Sequence, residues 1–170
     1  MKSNKNLVLL GMMGSGKSTI GRLLARKLNL QFIDVDTVIE NETKMKIFDI
    51  FKKKGEIFFR SLEEKITLEI LNSSNNIIAL GGGGFLNNKI RKEIIDKNFS
   101  FWLNWKNSTL LGRIKKNNKR PMAYNSTNAE LKDLIFQRLK IYKKAQFKIN
   151  CNKLTKSEIV NEILIKYANN

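Results

Sequence analysis

The sequence predicts a three-layer α/β domain, a five-stranded parallel sheet with helices on both faces. Three observations carry that expectation. Short apolar runs alternate with amphipathic helical segments along the chain, the pattern of strands joined by crossover helices. The first apolar run, residues 7–10, leads directly into "GMMGSGKST", residues 11–19. Another, residues 77–80, ends in four consecutive glycines, Gly81 to Gly84. Right-handed crossovers in such a sheet gather ligand sites at the carboxyl ends of the strands.

The elements follow in order. Residues 7–10 are apolar throughout and precede a glycine loop, as a buried strand does. Residues 18–28 carry Ile20, Leu23, Leu24 and Leu28 on one helical face. Residues 30–35 form a second strand. Ile47, Ile50 and Phe51 mark a short helix that Gly55 stops, and residues 56–71 a longer one with Phe59, Leu62, Ile66 and Ile70 aligned. Strands at 77–80, 99–103 and 146–149 complete the sheet, and helices at 131–144 and 157–167 the outer layers. Residues 115–128 are polar and asparagine-rich and hold the single proline, Pro121. They read as a lid leaving the core, with an idle surface loop as the alternative.

Composition narrows the chemistry. A chain of 170 residues is one ordinary domain, residues 1–170, large enough for a sizeable core. Hydrophobic content of 42% and charged content of 28% fit a soluble globular protein. The longest apolar stretch, residues 7–13 with Gly11 inside it, is too short to cross a membrane. Nor does the start read as a signal peptide, because cleavage there would destroy the glycine loop. The absence of histidine excludes Ser-His-Asp hydrolysis, His-ligated zinc and histidine bases. A single cysteine, Cys151, forms no internal disulfide and points to a reducing, cytoplasmic setting. The net charge of +17 favours anionic ligands. The basic residues are scattered and mixed with Asn and Ile, so nucleic acid is disfavoured as a partner.

Residues Gly11 to Ser18 match the phosphate-binding loop pattern G-x4-G-K-S, with a strand before and a helix after. Its glycines let backbone N–H groups turn toward a β-phosphate. The following helix adds its positive end. Lys17 reaches the β- and γ-phosphates as a point charge, and Ser18 offers a hydroxyl to Mg²⁺. The loop specifies a nucleoside triphosphate and leaves open a kinase, a switch or a motor.

Four features point to an acceptor site. Asp34 and Asp36 end the second strand and face one way if it remains extended; one can hold Mg²⁺ through water and the other orient or deprotonate a hydroxyl. Helix capping is their alternative. The glycine run suits close approach of a ligand to the backbone, or is a loose turn. Arg138 falls on an apolar stripe with Leu131, Leu134, Ile135 and Tyr142, where a charge needs a partner; an anionic substrate or a structural ion pair can supply it. Arg60, with Glu63 and Glu64 three and four residues on, is either a surface ion pair or a second arginine aimed inward and fixed by Glu63. Apart from these four, Arg120, in the lid segment, can stabilise charge on a transferring phosphoryl group.

Taken together, "GMMGSGKSTIGRLLA", "FIDVD", "IFDIF…GEIFFRSLEE", "LGGGG", "KRPMA" and "QRLKIY" resemble the shikimate kinases, a nucleoside-monophosphate-kinase-like group of P-loop enzymes, over almost the whole chain. The resemblance implies the following roles. Gly14, Ser15, Gly16, Lys17, Ser18 and Thr19 bind ATP phosphates, with Ser18 and, through water, Asp34 serving Mg²⁺. Asp36 contacts the hydroxyl that is phosphorylated and is the candidate base. Arg60 and Arg138 clamp the shikimate carboxylate, with Glu63 behind Arg60. Gly81, Gly82 and Gly83 present backbone N–H groups to substrate, and Phe51 and Phe59 line the apolar side of its ring. The substrate-binding helical region spans about 37–63. Arg120 is the lid arginine, and Arg113 and Lys153 belong to the adenine side. Lys17, Asp36 and Arg120 form the catalytic set, ATP and shikimate are the small-molecule partners, and a monomer is expected. Gly84, in place of a commoner small residue, and a missing proline after Arg138 depart from the family pattern. A gluconate-type sugar-acid kinase is the nearest rival. A GTPase switch is disfavoured because no D-x-x-G occurs, and a nucleic-acid ATPase because no aromatics interleave a basic stripe.

Overall fold

The computed structural model describes residues 4–116 and 126–170. Five strands, β1 (Leu7–Leu10), β2 (Gln31–Asp34), β3 (Asn76–Ala79), β4 (Phe99–Asn104) and β5 (Phe147–Asn150), form one parallel sheet in the order β2-β3-β1-β4-β5. Registers such as Leu9 opposite both Ala79 and Phe101 bring the carboxyl ends of β1, β3 and β4 level. The helices are α1 (Lys17–Leu28), α2 (Val35–Thr43), α3 (Ile47–Leu71), α4 (Asn88–Lys97), α5 (Asn107–Lys115), α6 (Asn128–Tyr142) and α7 (Lys156–Ala168), with a 3-10 turn at Gly84–Leu86.

The pleat sorts each strand into two cores. Leu7 and Leu9 of β1 join Ile77, Phe99, Phe101 and Leu103 beneath α1 and α7. Val8 and Leu10 join Ile78, Leu80 and Trp102 on the opposite face, with Val35, Ile50, Ile66, Ile94 and Ile135 of the other helices. This is the three-layer sandwich that the alternation of elements predicts.

At the amino ends of the strands Asn6 forms a buried clasp. Its amide donates to Asn98 Oδ1 (2.9 Å) and the Ser73 carbonyl (2.7 Å), and its Oδ1 accepts from the Asn76 N–H (3.0 Å). Three strand starts are thereby pinned together, leaving the opposite pole for chemistry.

Several boundaries differ from the sequence expectation. The second strand stops at Asp34, and Val35 already begins α2. The helices α4 and α5 are additional. Their isoleucine and leucine spacing is diluted by charged and polar residues, although Asn87 caps α4 through its side chain as a start signal should. The stop at Gly55 is present: its φ of 85° and ψ of 168° break α3 into two helices. The segment that the sequence reads as a lid is flanked by α5, closing at Lys115, and by a capping box between Thr127 and Glu130 that opens α6. Arg120 lies outside the described residues.

No helix among the described residues is long and apolar enough to cross a membrane. Cys151 is buried, and burial pushes its thiol up to about 12, so it acts as a small apolar side chain.

Candidate active site

The phosphate loop is built from left-handed backbone. Gly11, Gly14 and Gly16 hold φ values of 143°, 78° and 92°, a region that costs a residue with a Cβ about 1–3 kcal/mol. Gly16 caps α1 with no side chain contributing, so the first N–H groups of the helix stay available. Lys17 folds back along the loop and donates to the carbonyls of Gly11 (2.9 Å) and Met12 (3.1 Å). Ser18 Oγ donates to Asp34 Oδ2 at 2.5 Å. Gly14, Gly16, Lys17, Ser18, Thr19, Asp34 and Asp36 line a cavity of about 190 Å³, closed from below by Ala79 and Leu80.

Asp34 and Asp36 converge on this cavity by a route other than strand alternation. Asp34 is the last residue of β2, and Asp36 lies in the first turn of α2. The helix, not the pleat, turns Asp36 toward the neighbouring pocket. Asp34 precedes α2 without a capping hydrogen bond from its side chain, so its carboxylate does not serve as the helix cap.

That second pocket is lined by Met13, Asp36, Phe51, Phe59, Arg60, Glu63, Gly82, Gly83 and Arg138, with Ile47 at its edge. Arg138 is 3% exposed despite its charge. Its Nη1 meets the soft sulfur of Met12 at 3.9 Å, and its Nε has no hydrogen-bond partner among the described residues. A buried guanidinium with its Nε unpartnered is suited to an anion arriving from outside. Arg60 settles between the two sequence alternatives. One edge pairs with exposed Glu56 at 3.2 Å, while Nη1 pairs with buried Glu63 at 2.7 Å. Burial pushes the Glu63 carboxyl above its ordinary range, against the pull of the Arg60 guanidinium. Phe51 and Phe59 pack with ring centroids 4.6 Å apart, and the Arg60 guanidinium carbon lies 5.1 Å from the Phe59 centroid.

The glycine run is explained by space. None of Gly81 to Gly84 has a positive φ. A Cβ at Gly81 would stand 2.9 Å from Asp36 Oδ1, one at Gly82 3.2 Å from Arg138 Nη1, and one at Gly83 2.8 Å from Arg60 Cζ. A Cβ at Gly84 would meet buried Leu80 at 3.0 Å, which accounts for the fourth glycine. The loop therefore lies directly against the site's charged side chains. Tyr142, absent from the sequence-derived site, holds it there: its hydroxyl donates to the Gly82 carbonyl at 2.5 Å. Burial pushes the Tyr142 phenol up to about 12, so it stays protonated and keeps donating. On the sequence it reads as one more member of the apolar stripe.

A third cavity, about 490 Å³, adjoins the other side of the phosphate loop. Gly14, Ser15, Gly16, Thr19, Trp105, Arg113, Leu154, Thr155, Lys156 and Ile159 form its walls. Arg113 lines this cavity, whereas Lys153, which the resemblance also puts on the adenine side, is exposed in a left-handed turn with φ of 66°, and Leu154, Thr155 and Lys156 after it line the wall. Trp105 and Ile159 carried no signal in the sequence that separates a cavity wall from ordinary core.

The sheet, the loop and a carboxylate shared by two adjoining pockets define the class as a P-loop kinase acting on a small molecule. The profile of the shikimate kinase family matches residues 13–168. The shikimate kinase of Sulfurihydrogenibium sp. is 42% identical over 165 residues, which span 95% of this chain and 97% of that one. The structure of shikimate kinase from Acinetobacter baumannii in complex with shikimate aligns over 99% of this chain and 96% of its own, at 30% identity and a TM-score of 0.92. A gluconokinase from Sinorhizobium meliloti aligns with a TM-score of 0.58 at 16% identity, a likeness of fold alone. The chain belongs to the shikimate kinase family. Its activity is the ATP-dependent phosphorylation of shikimate, and the sugar-acid alternative gives way.

Proposed function

We propose that the protein transfers the γ-phosphoryl group of ATP to the 3-hydroxyl of shikimate, with Asp36 at the junction of the two substrates. The observation that carries this reading is that Asp36 lines both the phosphate-loop cavity and the arginine-lined pocket. ATP lies with its phosphates on Gly14 to Thr19 and its base in the cavity bordered by Arg113. Shikimate places its carboxylate between Arg60 and Arg138, its ring on Phe51 and Phe59, and polar groups against the backbone of Gly81 to Gly83.

Each residue then has a chemical task. Lys17 exchanges two loop carbonyls for phosphate oxygens and neutralises charge as it develops. Asp36 accepts a hydrogen bond from the attacking hydroxyl and takes its proton. Glu63 keeps Arg60 in a single orientation, which limits the entropy lost on binding. Arg120 is proposed from the sequence as the lid arginine; removing it is expected to lower turnover roughly 10³-fold, the scale of an arginine finger.

The donor set fits Mg²⁺. Among the described residues no group of three His, Cys, Asp or Glu surrounds a metal position. Ser18, through its hydroxyl, and Asp34, through water, would hold Mg²⁺ alongside nucleotide phosphates. When bound it supplies charge neutralisation on the β- and γ-phosphates.

The whole chain, 1–170, serves as a single domain, with a substrate-binding region near 37–63 and a lid near 115–128, working as a cytoplasmic monomer. The test is release of ADP from Mg·ATP with shikimate, gluconate, quinate, a nucleoside monophosphate or no acceptor. Release with shikimate alone is expected. Release with gluconate and not shikimate would overturn the pocket assignment.

A further inference from the structure

We propose that Trp105 is a positioning residue of the nucleotide site, fixing Arg113 against the phosphate loop as a platform for the aromatic base. The inference rests on the assignment of the third cavity to the nucleotide base, and it assigns Trp105 a role in that cavity.

Trp105 directly follows β4, at the carboxyl edge of the sheet. Its indole Nε1 donates to the Ser15 carbonyl at 2.9 Å. The Arg113 guanidinium carbon lies 3.9 Å from the Trp105 ring centroid. Arg113 Nη1 donates to the Gly14 carbonyl at 3.2 Å. Two successive carbonyls of the loop thus each hold one member of a stacked pair. Both members line the cavity, beside Leu154 and Ile159.

The arrangement has a physical consequence. Arg113 is exposed, and a solvent-exposed arginine is otherwise free to sample many rotamers. Tryptophan is the strongest aromatic partner for a guanidinium, and here the indole is itself anchored through its N–H. A guanidinium is flat and stacks through its faces. With one face against Trp105, the other is left to receive a planar base. The same pair braces the loop from outside the triphosphate path, so it bears on nucleotide affinity and leaves the acceptor pocket untouched. If Trp105 merely filled core, its loss would lower stability without a selective effect on nucleotide.

The test is calorimetric titration of the full chain with ADP, for wild type, Trp105→Phe, Trp105→Leu, Arg113→Gln and the Trp105→Leu/Arg113→Gln double variant, together with KM for shikimate. Trp105→Leu is expected to weaken ADP roughly tenfold, the scale of a partly desolvated guanidinium–indole stack. Trp105→Phe keeps a ring face and loses the N–H, and is expected to weaken ADP about threefold. KM for shikimate stays within about twofold, and the double variant binds ADP no more than about twofold worse than Arg113→Gln alone, as residues acting through one another should. Wild-type ADP affinity in either Trp105 variant, or additive losses in the double variant, would overturn the proposal while leaving Arg113 in place. Wild-type affinity in Arg113→Gln would overturn the base-site assignment itself. If Trp105→Leu fails to fold, the phenylalanine variant decides alone, since it keeps an aromatic ring at the position.

Discussion

At the scale of single residues, the site is a set of buried polar groups that satisfy one another only in part. Arg138 was legible in the sequence because a charge on an apolar helical stripe conflicts with burial, and the conflict marks function. Tyr142, four residues on, was not legible, because a tyrosine on the same stripe looks like core until its hydroxyl is seen on the Gly82 carbonyl. Tyr142→Phe strands that carbonyl at a cost of about 1–3 kcal/mol. At roughly 2–4 °C per kcal/mol for a chain of this size, Tm should fall by several degrees. KM for shikimate should rise while KM for ATP holds; equal changes in both would deny Tyr142 a part in shaping the glycine loop. Glu63 gives a pH signature. Burial raises its folded-state pKa above the ordinary 4.5, so the folded protein binds the proton more tightly than the unfolded chain does. The associated stability is complete below the ordinary glutamate range and is lost as pH rises through the folded-state value. Glu63→Gln carries no such charge. Its Tm relative to wild type should therefore climb as pH rises above the ordinary glutamate value, and a constant difference by calorimetry would contradict the shift.

At the scale of elements, the sheet and most helices followed from periodicity, and the departures have local causes. Asp34 and Asp36 were singled out for a strand alternation that ends at Asp34, yet α2 delivers Asp36 to the same place. The glycine run reads on the sequence as room for a ligand to approach the backbone; the structure shows it also makes room beside Asp36, Glu63, Arg60 and Leu80, which depends on contacts distant in sequence. The helices α4 and α5 were missed because few of their residues are apolar. The kink in α3 matters most for the site. Eight residues along an unbroken helix span about 12 Å, yet the rings of Phe51 and Phe59 stand 4.6 Å apart across the break at Gly55. Gly55→Ala places a Cβ where φ is 85°, at a cost of about 1–3 kcal/mol. It should also raise KM for shikimate by spreading the two rings. Thermal unfolding and acceptor kinetics on that variant check both effects, and an unchanged Tm with unchanged KM would show that the kink is not held by glycine.

At the scale of the whole molecule, stability and chemistry occupy opposite poles. The Asn6 clasp and the two apolar layers fix the amino ends of the strands, and the carboxyl ends carry three adjoining cavities. A net charge of +17 on the chain favours the encounter with two anionic substrates. The central claim is that the carboxylate common to two of those cavities is where phosphoryl transfer occurs. The measurement that tests it most directly is steady-state kinetics of Asp36→Asn with Mg·ATP and shikimate, a change that keeps the side chain's shape and removes its charge. Turnover should fall about 10²- to 10⁴-fold, the range for a positioned general base, with both KM values within a few-fold of wild type. Turnover near the wild-type rate would contradict the account and remove Asp36 from the reaction.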